Sequence, residues 1–209
     1  MRMDMSDHPF DDIEATLKRS VAALREAGVP ALLAGSLAVW ARGGPETRHD
    51  LDFVVKPADA DRALQALVDI GMKAEYPPEG WLYKAWDGEV LVDLIFEPRG
   101  LVVDDDLLAR GEEREVMAIG IRLMALEDVL TSKLMALDEH SADFSKLLLM
   151  TRTLREQIDW DALRGRTRES AFAKAFFTLA EELAIAPPAD ASAPQAAAAR
   201  ARVRVVEQA

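Results

Sequence analysis

Two aspartates separated by one residue are the first feature of this sequence that could do chemistry. Asp50 and Asp52 lie in the segment HDLDFVV, residues 49–55, whose apolar and β-branched residues predict a strand. Side chains alternate between the two faces of a strand, so both carboxylates would project from one face, about 6–7 Å apart. Because two such charges repel each other, we expect a divalent cation to bind between them.

A third aspartate interrupts a second apolar strand. Asp93 is the one charged residue of the segment VLVDLIF. If this strand lies beside residues 49–55, the strand spacing of about 5 Å brings Asp93 next to the pair. Three carboxylates suit Mg²⁺, which prefers oxygen ligands and keeps positions for phosphate and water, and Mn²⁺ is the alternative ion. The simpler interpretation is that the three acids are turn, edge or capping residues.

A glycine–serine pair precedes the acids by about fifteen residues. Gly35 and Ser36 stand between an apolar run and a predicted helix. Glycine allows close backbone approach, and a helix N-terminus offers free N–H groups to a phosphate. The alternative is that Ser36 is an ordinary helix N-cap.

A lysine falls on the apolar side of a predicted helix. On a helical wheel of residues 126–137, Lys133 lies within the stripe of leucine and valine side chains, whereas Asp128 and Thr131 lie outside it. A lysine that faces inward must find an anion or extend to water. We expect Lys133 to face the segment that carries the aspartates.

The elements that must position these residues follow an α+β order. Strand and helix patterns predict a helix, a short apolar run with a buried helix, a strand, a second helix, a hairpin turning at Asp87-Gly88, and one further strand, at residues 9–28, 31–42, 49–55, 58–70, 81–96 and 115–124. Three helical segments follow. We therefore predict a small mixed sheet flanked by helices in residues 1–124, a helical lobe in 125–186 and a flexible Ala/Pro-rich tail in 187–209.

Composition excludes several classes of protein. The chain has no cysteine and three histidines, which excludes disulfides and a zinc site built on histidine or thiolate. It has no apolar run of the roughly 18 residues that span a membrane, and its acidic N-terminus differs from a signal peptide. We expect a cytoplasmic protein. A net charge of −12 disfavours broad nucleic-acid binding, although residues 146–174 hold seven Lys and Arg against four Asp and Glu.

The combination of Gly-Ser, a helix, Asp-Leu-Asp-Phe on a strand and a later lone aspartate resembles the polymerase-beta nucleotidyltransferase superfamily. The similarity spans about residues 15–165 and is greatest to minimal bacterial members, including toxin-type transferases of toxin–antitoxin and abortive-infection systems. The resemblance implies that Gly35 and Ser36 bind a nucleoside triphosphate such as ATP. It also implies that Asp50, Asp52 and Asp93 bind metal and that Asp93 helps to activate the acceptor hydroxyl.

The same resemblance extends to residues around this core. Lys133, in the segment LEDVLTSKLMAL, corresponds to a phosphate-contacting lysine, and Asp143 to an assisting aspartate. Arg42 and Arg48, which flank a Gly-containing linker, are candidate phosphate or acceptor contacts, and His49 stands where the family often has a small hydroxyl residue.

The predicted function is transfer of a nucleoside monophosphate from an NTP to an acceptor hydroxyl, on an RNA end such as that of tRNA or on a protein side chain. An enzyme of the toxin type would have an antitoxin partner. Two alternatives stay open at this point: a non-catalytic nucleotide-binding regulator or antitoxin of the same fold, and a transferase that modifies small antibiotics.

Overall fold

The computed structural model describes residues 10–47 and 50–189 of the 209-residue chain. Eight α-helices occupy these residues, besides a 3-10 helix at Pro57–Asp59: α1 (Phe10–Glu26), α2 (Gly35–Trp40), α3 (Ala60–Asp69), α4 (Asp105–Ala109), α5 (Leu126–Met135), α6 (Ser145–Leu154), α7 (Trp160–Thr167) and α8 (Ala171–Glu182). The strands are β1 (Ala31–Leu33), β2 (Leu51–Val55), β3 (Lys73–Glu75), β4 (Leu82–Asp87), β5 (Val90–Ile95), β6 (Glu112–Val116) and β7 (Ile119–Leu123).

All seven strands form one mixed sheet in the order β3-β4-β5-β2-β1-β7-β6. The hairpins β3–β4, β4–β5 and β6–β7 are antiparallel, as is the pair β1–β2. The central pair β2–β5 and the pair β1–β7 are parallel. A mixed sheet with helices on both faces confirms the predicted α+β class.

Helices cover the two faces of the sheet unequally. Helices α1 and α3 pack on one face, where Leu51, Phe53 and Val55 of β2 enter a single apolar core, as the alternation of the strand predicts. The opposite face carries α2 and the helices from α4 to α8, which share a second core. Asp52 and Asp93 belong to this second face, at the point where its apolar core ends.

The prediction of one strand at residues 115–124 is wrong. The chain forms a hairpin there, β6–β7, which turns at Met117 and Ala118 with φ values of 50° and 59°. Such turns usually contain Gly or Asn, because other residues adopt positive φ only with strain. The sequence therefore carried no turn signal, and the two strands were merged into one.

The turn of the β4–β5 hairpin is shifted by one residue from its prediction. Asp87 pairs with Val90, so the two turn residues are Gly88 and Glu89, with Gly88 at a φ of 62°. Asp87 instead accepts hydrogen bonds from Thr16 and Arg19 of α1. These contacts fix the hairpin to the helix that covers the other face.

Helix α5 is more deeply enclosed than its sequence pattern indicates. Asp128 and Thr131, predicted to lie outside the apolar stripe, are both fully buried. The reason is that α5 contacts α2 on one side and α7 and α8 on the other. Asp128 is accommodated by ion pairs with Arg110 and Arg166, at 3.0 and 2.6 Å.

Three elements were not predicted from the sequence: the edge strand β3 and the helices α4 and α7, which are all short. The division into domains at residues 124 and 186 stays a prediction, since α5–α8 share a core with α2 and the sheet. The predicted tail lies outside the described residues from position 190 onward. None of the helices in residues 10–47 and 50–189 combines the length and apolar character needed to span a bilayer.

Candidate active site

Two carboxylates meet at the centre of the sheet. Strands β2 and β5 run parallel and in register, with Asp52 directly opposite Asp93. Cross-strand partners project from the same face, so both side chains point toward the face that carries α2 and α5. Both residues are partly buried. The placement of β5 beside β2, on which the predicted site depends, is therefore observed.

Burial makes it unfavourable for both acids to carry charge. Burial raises the pKa of the Asp52 carboxyl to about 6; the Lys133 ammonium opposes this rise, and the Asp93 carboxylate adds to it. Burial also raises the pKa of Asp93, against the hydrogen bond and the charge of Lys84. Each acid thus lacks the positive charge that would fully stabilise its ionised form.

Lys84 is the cation that directly contacts the pair. It stands opposite Asp93 across the β4–β5 hairpin, and its Nζ lies 3.0 Å from Oδ1 of that aspartate. Lys84 and Asp93 are largely buried, with side chains 24% and 15% exposed. Lys84 is not among the site residues predicted from the sequence. Its alternation with Leu82 and Trp86, given the hairpin, was a usable signal for its face.

Gly35 brings the chain into contact with the acids. It begins α2 with a φ of 60°, and a Cβ built there would lie 1.7 Å from Oδ2 of Asp52. Only glycine combines this backbone conformation with the required space. The preceding residue, Ala34, donates its N–H to the carbonyl oxygen of Asp52 at 2.8 Å. The Gly-Ser turn and β2 are thus joined as one unit.

Ser36 follows Gly35 at the start of α2, and Lys133 of α5 acts electrostatically on Asp52. Ser36 is partly buried in the first turn of α2; the N-cap position belongs to Ala34. Lys133 is partly buried in the last turn of α5, where burial lowers its pKa, the charge of Asp52 raises it and the charge of Lys146 lowers it further. No carboxylate in the described part of the chain lies within ion-pair distance of Lys133.

Asp50, the third predicted metal ligand, is described by the structure, whereas the two residues before it are not. Asp50 precedes β2 and is exposed. Arg48 and His49 lie outside the described residues, so their predicted contacts stay predictions. Within residues 10–47 and 50–189, no three Asp, Glu or His side chains are gathered closely enough to hold a metal ion. The described centre is a pair of acids, Asp52 and Asp93.

Two further candidates have structural contacts. The guanidinium of Arg42 is buried and donates to the carbonyl oxygens of Ala38 and Met124 at 2.9 and 2.7 Å. It also forms an ion pair with Glu112 at 3.7 Å, and its predicted contact with phosphate or acceptor stays a prediction. Asp143 is exposed and accepts a hydrogen bond from the N–H of Ser145, which lowers its pKa. This bond closes a local turn just before α6, whose N-cap position belongs to Phe144.

The charged segments of the sequence are two acidic runs, residues 104–106 and 112–113, and the basic stretch 146–174, of which Lys146 acts on Lys133. Asp104–Asp106 belong to the start of α4, where Asp104 caps the helix and Asp105 pairs with Lys56. Residues 112–113 lie on β6, the strand at the far edge of the sheet. In the basic stretch 146–174, four of the seven cations have acidic partners, and these are Arg155, Arg164, Arg166 and Arg168.

The structure is similar to solved nucleotidyltransferases. The antibiotic-resistance factor ANT(2'')-Ia matches with a TM-score of 0.59 at 17% identity, covering 82% of this chain and 97% of that one. The crystal structure of a putative nucleotidyltransferase from H. pylori gives a TM-score of 0.51 at 17% identity, with coverages of 90% and 86%. A further one, from Thermotoga maritima, gives 0.50 at 17% identity, with coverages of 63% and 89%. At these identities the likeness concerns the fold.

The family follows from the sequence itself. Residues 13–171 match the model described as nucleotidyl transferase of unknown function (DUF2204), so the chain belongs to that family. No curated protein is significantly similar to it in sequence. The chain is thus a nucleotidyltransferase, which confirms the enzyme class predicted from the sequence and the fold that the resemblance implied.

Proposed function

We propose that this enzyme transfers a nucleoside monophosphate from an NTP to an acceptor hydroxyl in a reaction that depends on Mg²⁺. The observation that carries the proposal is the in-register pair Asp52 and Asp93, both partly buried, with Asp52 in close contact with Gly35. Two acids with raised pKa values on one sheet face are a centre of negative charge without full compensation.

The donor set fits a magnesium ion. Carboxylate oxygens are the protein ligands that Mg²⁺ prefers, and it keeps further positions for phosphate oxygens and water. Asp52 and Asp93 would hold the ion, with Asp50 as the third ligand at the exposed start of β2. When bound, the ion neutralises charge that develops on the transferred phosphoryl group.

Lys133 and Ser36 would receive the triphosphate. Lys133 is partly buried and has no ion-pair partner in the described part of the chain, so it is available to an anion. Ser36 adds a hydroxyl in the first turn of α2, beside Gly35. These groups would orient the β- and γ-phosphates, and such electrostatic positioning dominates phosphoryl-transfer catalysis.

The reaction then balances as a simple displacement. The acceptor oxygen forms a bond to the α-phosphorus, the bond from that phosphorus to the bridging oxygen breaks, and pyrophosphate leaves with the bonding electron pair. Asp93 would accept the proton of the acceptor hydroxyl, as a carboxylate with a raised pKa is suited to do.

The acceptor is the open part of this proposal. An RNA end or a protein side chain, modified by an enzyme of the toxin type with an antitoxin partner, is one version. Against an RNA acceptor stand the net charge of −12 and the acid-paired arginines of the basic stretch. A regulator without activity would not need the acid pair.

A small-molecule acceptor has one specific observation in its favour. ANT(2'')-Ia, whose fold resembles this one, was crystallised with adenylyl-2''-tobramycin, at a TM-score of 0.57 and 14% identity. Here Glu75 lies on β3, opposite Lys84 of β4, and its charge acts on Asp93. A carboxylate on the open edge of the sheet would suit a cationic acceptor.

The test is label transfer from each of the four α-³²P NTPs with Mg²⁺, offered separately to tRNA, to a protein extract and to aminoglycosides. We expect one NTP and one acceptor class to give labelled product. We expect Asp93→Asn to lose it by at least about a hundredfold, since general-base catalysis contributes about 10²–10⁴.

Asp106→Asn is the matched control, because Asp106 is an exposed acid on α4. It should retain wild-type transfer. Absence of both label transfer and NTP binding in the wild-type protein would refute the proposal. Transfer that survives Asp93→Asn unchanged would remove this residue from the chemistry.

A further inference from the structure

The acid pair belongs to a longer row of charged residues that crosses four strands. The registers place Glu75 of β3 opposite Lys84 of β4, Lys84 opposite Asp93 of β5, and Asp93 opposite Asp52 of β2. Cross-strand partners share a face, so all four project from the same side of the sheet. The signs alternate except at one place, where Asp93 adjoins Asp52.

Within this row, Lys84 contacts one of the two carboxylate oxygens of Asp93. Its Nζ lies 3.0 Å from Oδ1. No hydrogen bond from a described residue reaches Oδ2 of Asp93. Lys84 is confined by its place on β4, which pairs with β5 along six residues, from Leu82 to Asp87. The contact is therefore built into the hairpin and does not depend on a flexible loop.

We propose that Lys84 is a positioning residue whose hydrogen bond to Oδ1 fixes the orientation of the Asp93 carboxylate and keeps Oδ2 free for the metal site. The inference rests on the proposed function, since it concerns the same acid pair. It assigns to a strand lysine a role that the Gly-Ser turn, the aspartates and Lys133 do not cover.

This arrangement should raise the rate of transfer and lower the affinity for the metal ion. Lys84 holds Asp93 in one orientation, which favours the transfer reaction. Its positive charge also repels a cation that approaches the same carboxylate, so the metal binds more weakly than the two acids alone would allow. Removing Lys84 should therefore tighten metal binding while it slows transfer. A residue that only stabilises the fold would weaken both.

The test is Mn²⁺ binding to the full-length protein, followed by the electron paramagnetic resonance signal of free Mn²⁺. We expect Lys84→Met to bind Mn²⁺ about three- to tenfold more tightly than wild type, the range for the loss of one neighbouring, partly screened charge. Lys84→Arg keeps the charge and should stay within about twofold of wild type.

Lys73→Met is the matched control. Lys73 is an exposed lysine on β3, one strand away, and pairs in register with Trp86 rather than with an acid. Its loss changes the net charge of the protein equally and should leave Mn²⁺ affinity within about twofold. Circular dichroism melts of all variants identify any that fail to fold.

The outcomes separate this inference from the proposed function. If wild type binds Mn²⁺ and Asp52→Asn does not, the acid pair binds metal and the comparison of lysine variants is decisive. Unchanged or weaker binding by Lys84→Met, or equal tightening by Lys73→Met or Lys84→Arg, would overturn the role of Lys84 alone. No Mn²⁺ binding by wild type would overturn the metal site, and the inference about Lys84 with it.

Discussion

At the scale of single residues, the candidate site consists of four residues that lie next to one another. Gly35 touches Asp52, Asp52 adjoins Asp93, and Asp93 pairs with Lys84. The acids and the glycine could be predicted from residue type and spacing. The face of Lys84 could also be predicted, but its pairing with Asp93 could not, because that pairing depends on the exact register of the hairpin.

Gly35→Ala should displace the Asp52 carboxylate, since a Cβ would lie 1.7 Å from its Oδ2. We expect Mn²⁺ and NTP binding to be lost and the melting temperature to fall. Gly28→Ala is the matched control: Gly28 has a similar φ of 64°, but its added Cβ meets nothing within 4 Å. It should cost about 1–2 kcal/mol of stability and leave binding intact. Equal binding by both variants would contradict this account.

Asp52→Asn should stabilise the metal-free protein at neutral pH. The pKa of Asp52 is about 6 in the fold against an ordinary 3.8, so the folded state binds the proton more tightly. The contribution of Asp52 to the free energy of unfolding is therefore fully present below about pH 4 and is lost as pH rises through about 6. With partial screening, we expect a gain of about 1–2 kcal/mol at pH 7.5 in urea unfolding with EDTA.

Asp50→Asn serves as the control for this measurement, because Asp50 is exposed just before β2. It should change metal-free stability little. Added Mg²⁺ should stabilise wild type and not Asp52→Asn, since binding to the folded state alone raises stability. A less stable Asp52→Asn variant at pH 7.5 would show that the carboxylate is already compensated.

At the scale of elements, long periodic segments were predicted well and short ones poorly. Helices α1, α3, α6 and α8 and strands β2 and β5 follow patterns of 3.6 or two residues. The β6–β7 turn at Met117 and Ala118 was missed because neither residue signals positive φ. The burial of Asp128 was missed because helices on several sides of α5 enclose it, a tertiary fact.

Asp128→Asn tests how α5, which carries Lys133, is fixed. Asp128 is fully buried between Arg110 and Arg166, while both arginines reach solvent. Removing the charge leaves two guanidinium groups without their partner, and we expect a loss of about 3 kcal/mol, the low end for a broken buried pair. Glu139→Gln, at an exposed residue just after α5, should cost less than about 0.5 kcal/mol. Thermal unfolding of both variants measures the difference. Similar melting temperatures would show that the ion pairs of Asp128 with the two arginines contribute little to stability.

At the scale of the whole molecule, two properties matter: the net charge and the order of the strands in the sheet. The excess of acids makes this an anionic protein, and four cations of the stretch 146–174 are paired with acids. The class of fold could be predicted from the order of elements, whereas the neighbours of β1 and β2 in the sheet could not. Those pairings join segments far apart in the chain and are set by tertiary packing.

The charge of the molecule predicts weak binding to RNA. We expect no retention of unfractionated tRNA in filter binding at up to about 10 μM protein and 150 mM salt, because few phosphates can be neutralised. The same assay at 20 mM salt reveals any residual electrostatic attraction. Retention at 150 mM that declines steeply with added salt would indicate a basic face and favour an RNA acceptor.

The parallel pairing of β2 with β5 also has a consequence for folding kinetics. Its two aspartates are separated by about forty residues, which contain α3, β3 and β4. The entropy of closing that loop must be offset before the strands can pair, and such non-local pairings form slowly. The β4–β5 hairpin, with its Lys84–Asp93 ion pair, is local and can form first. Asp93 would thus pair with Lys84 before it meets Asp52, so its charge is partly offset when the two acids are brought together.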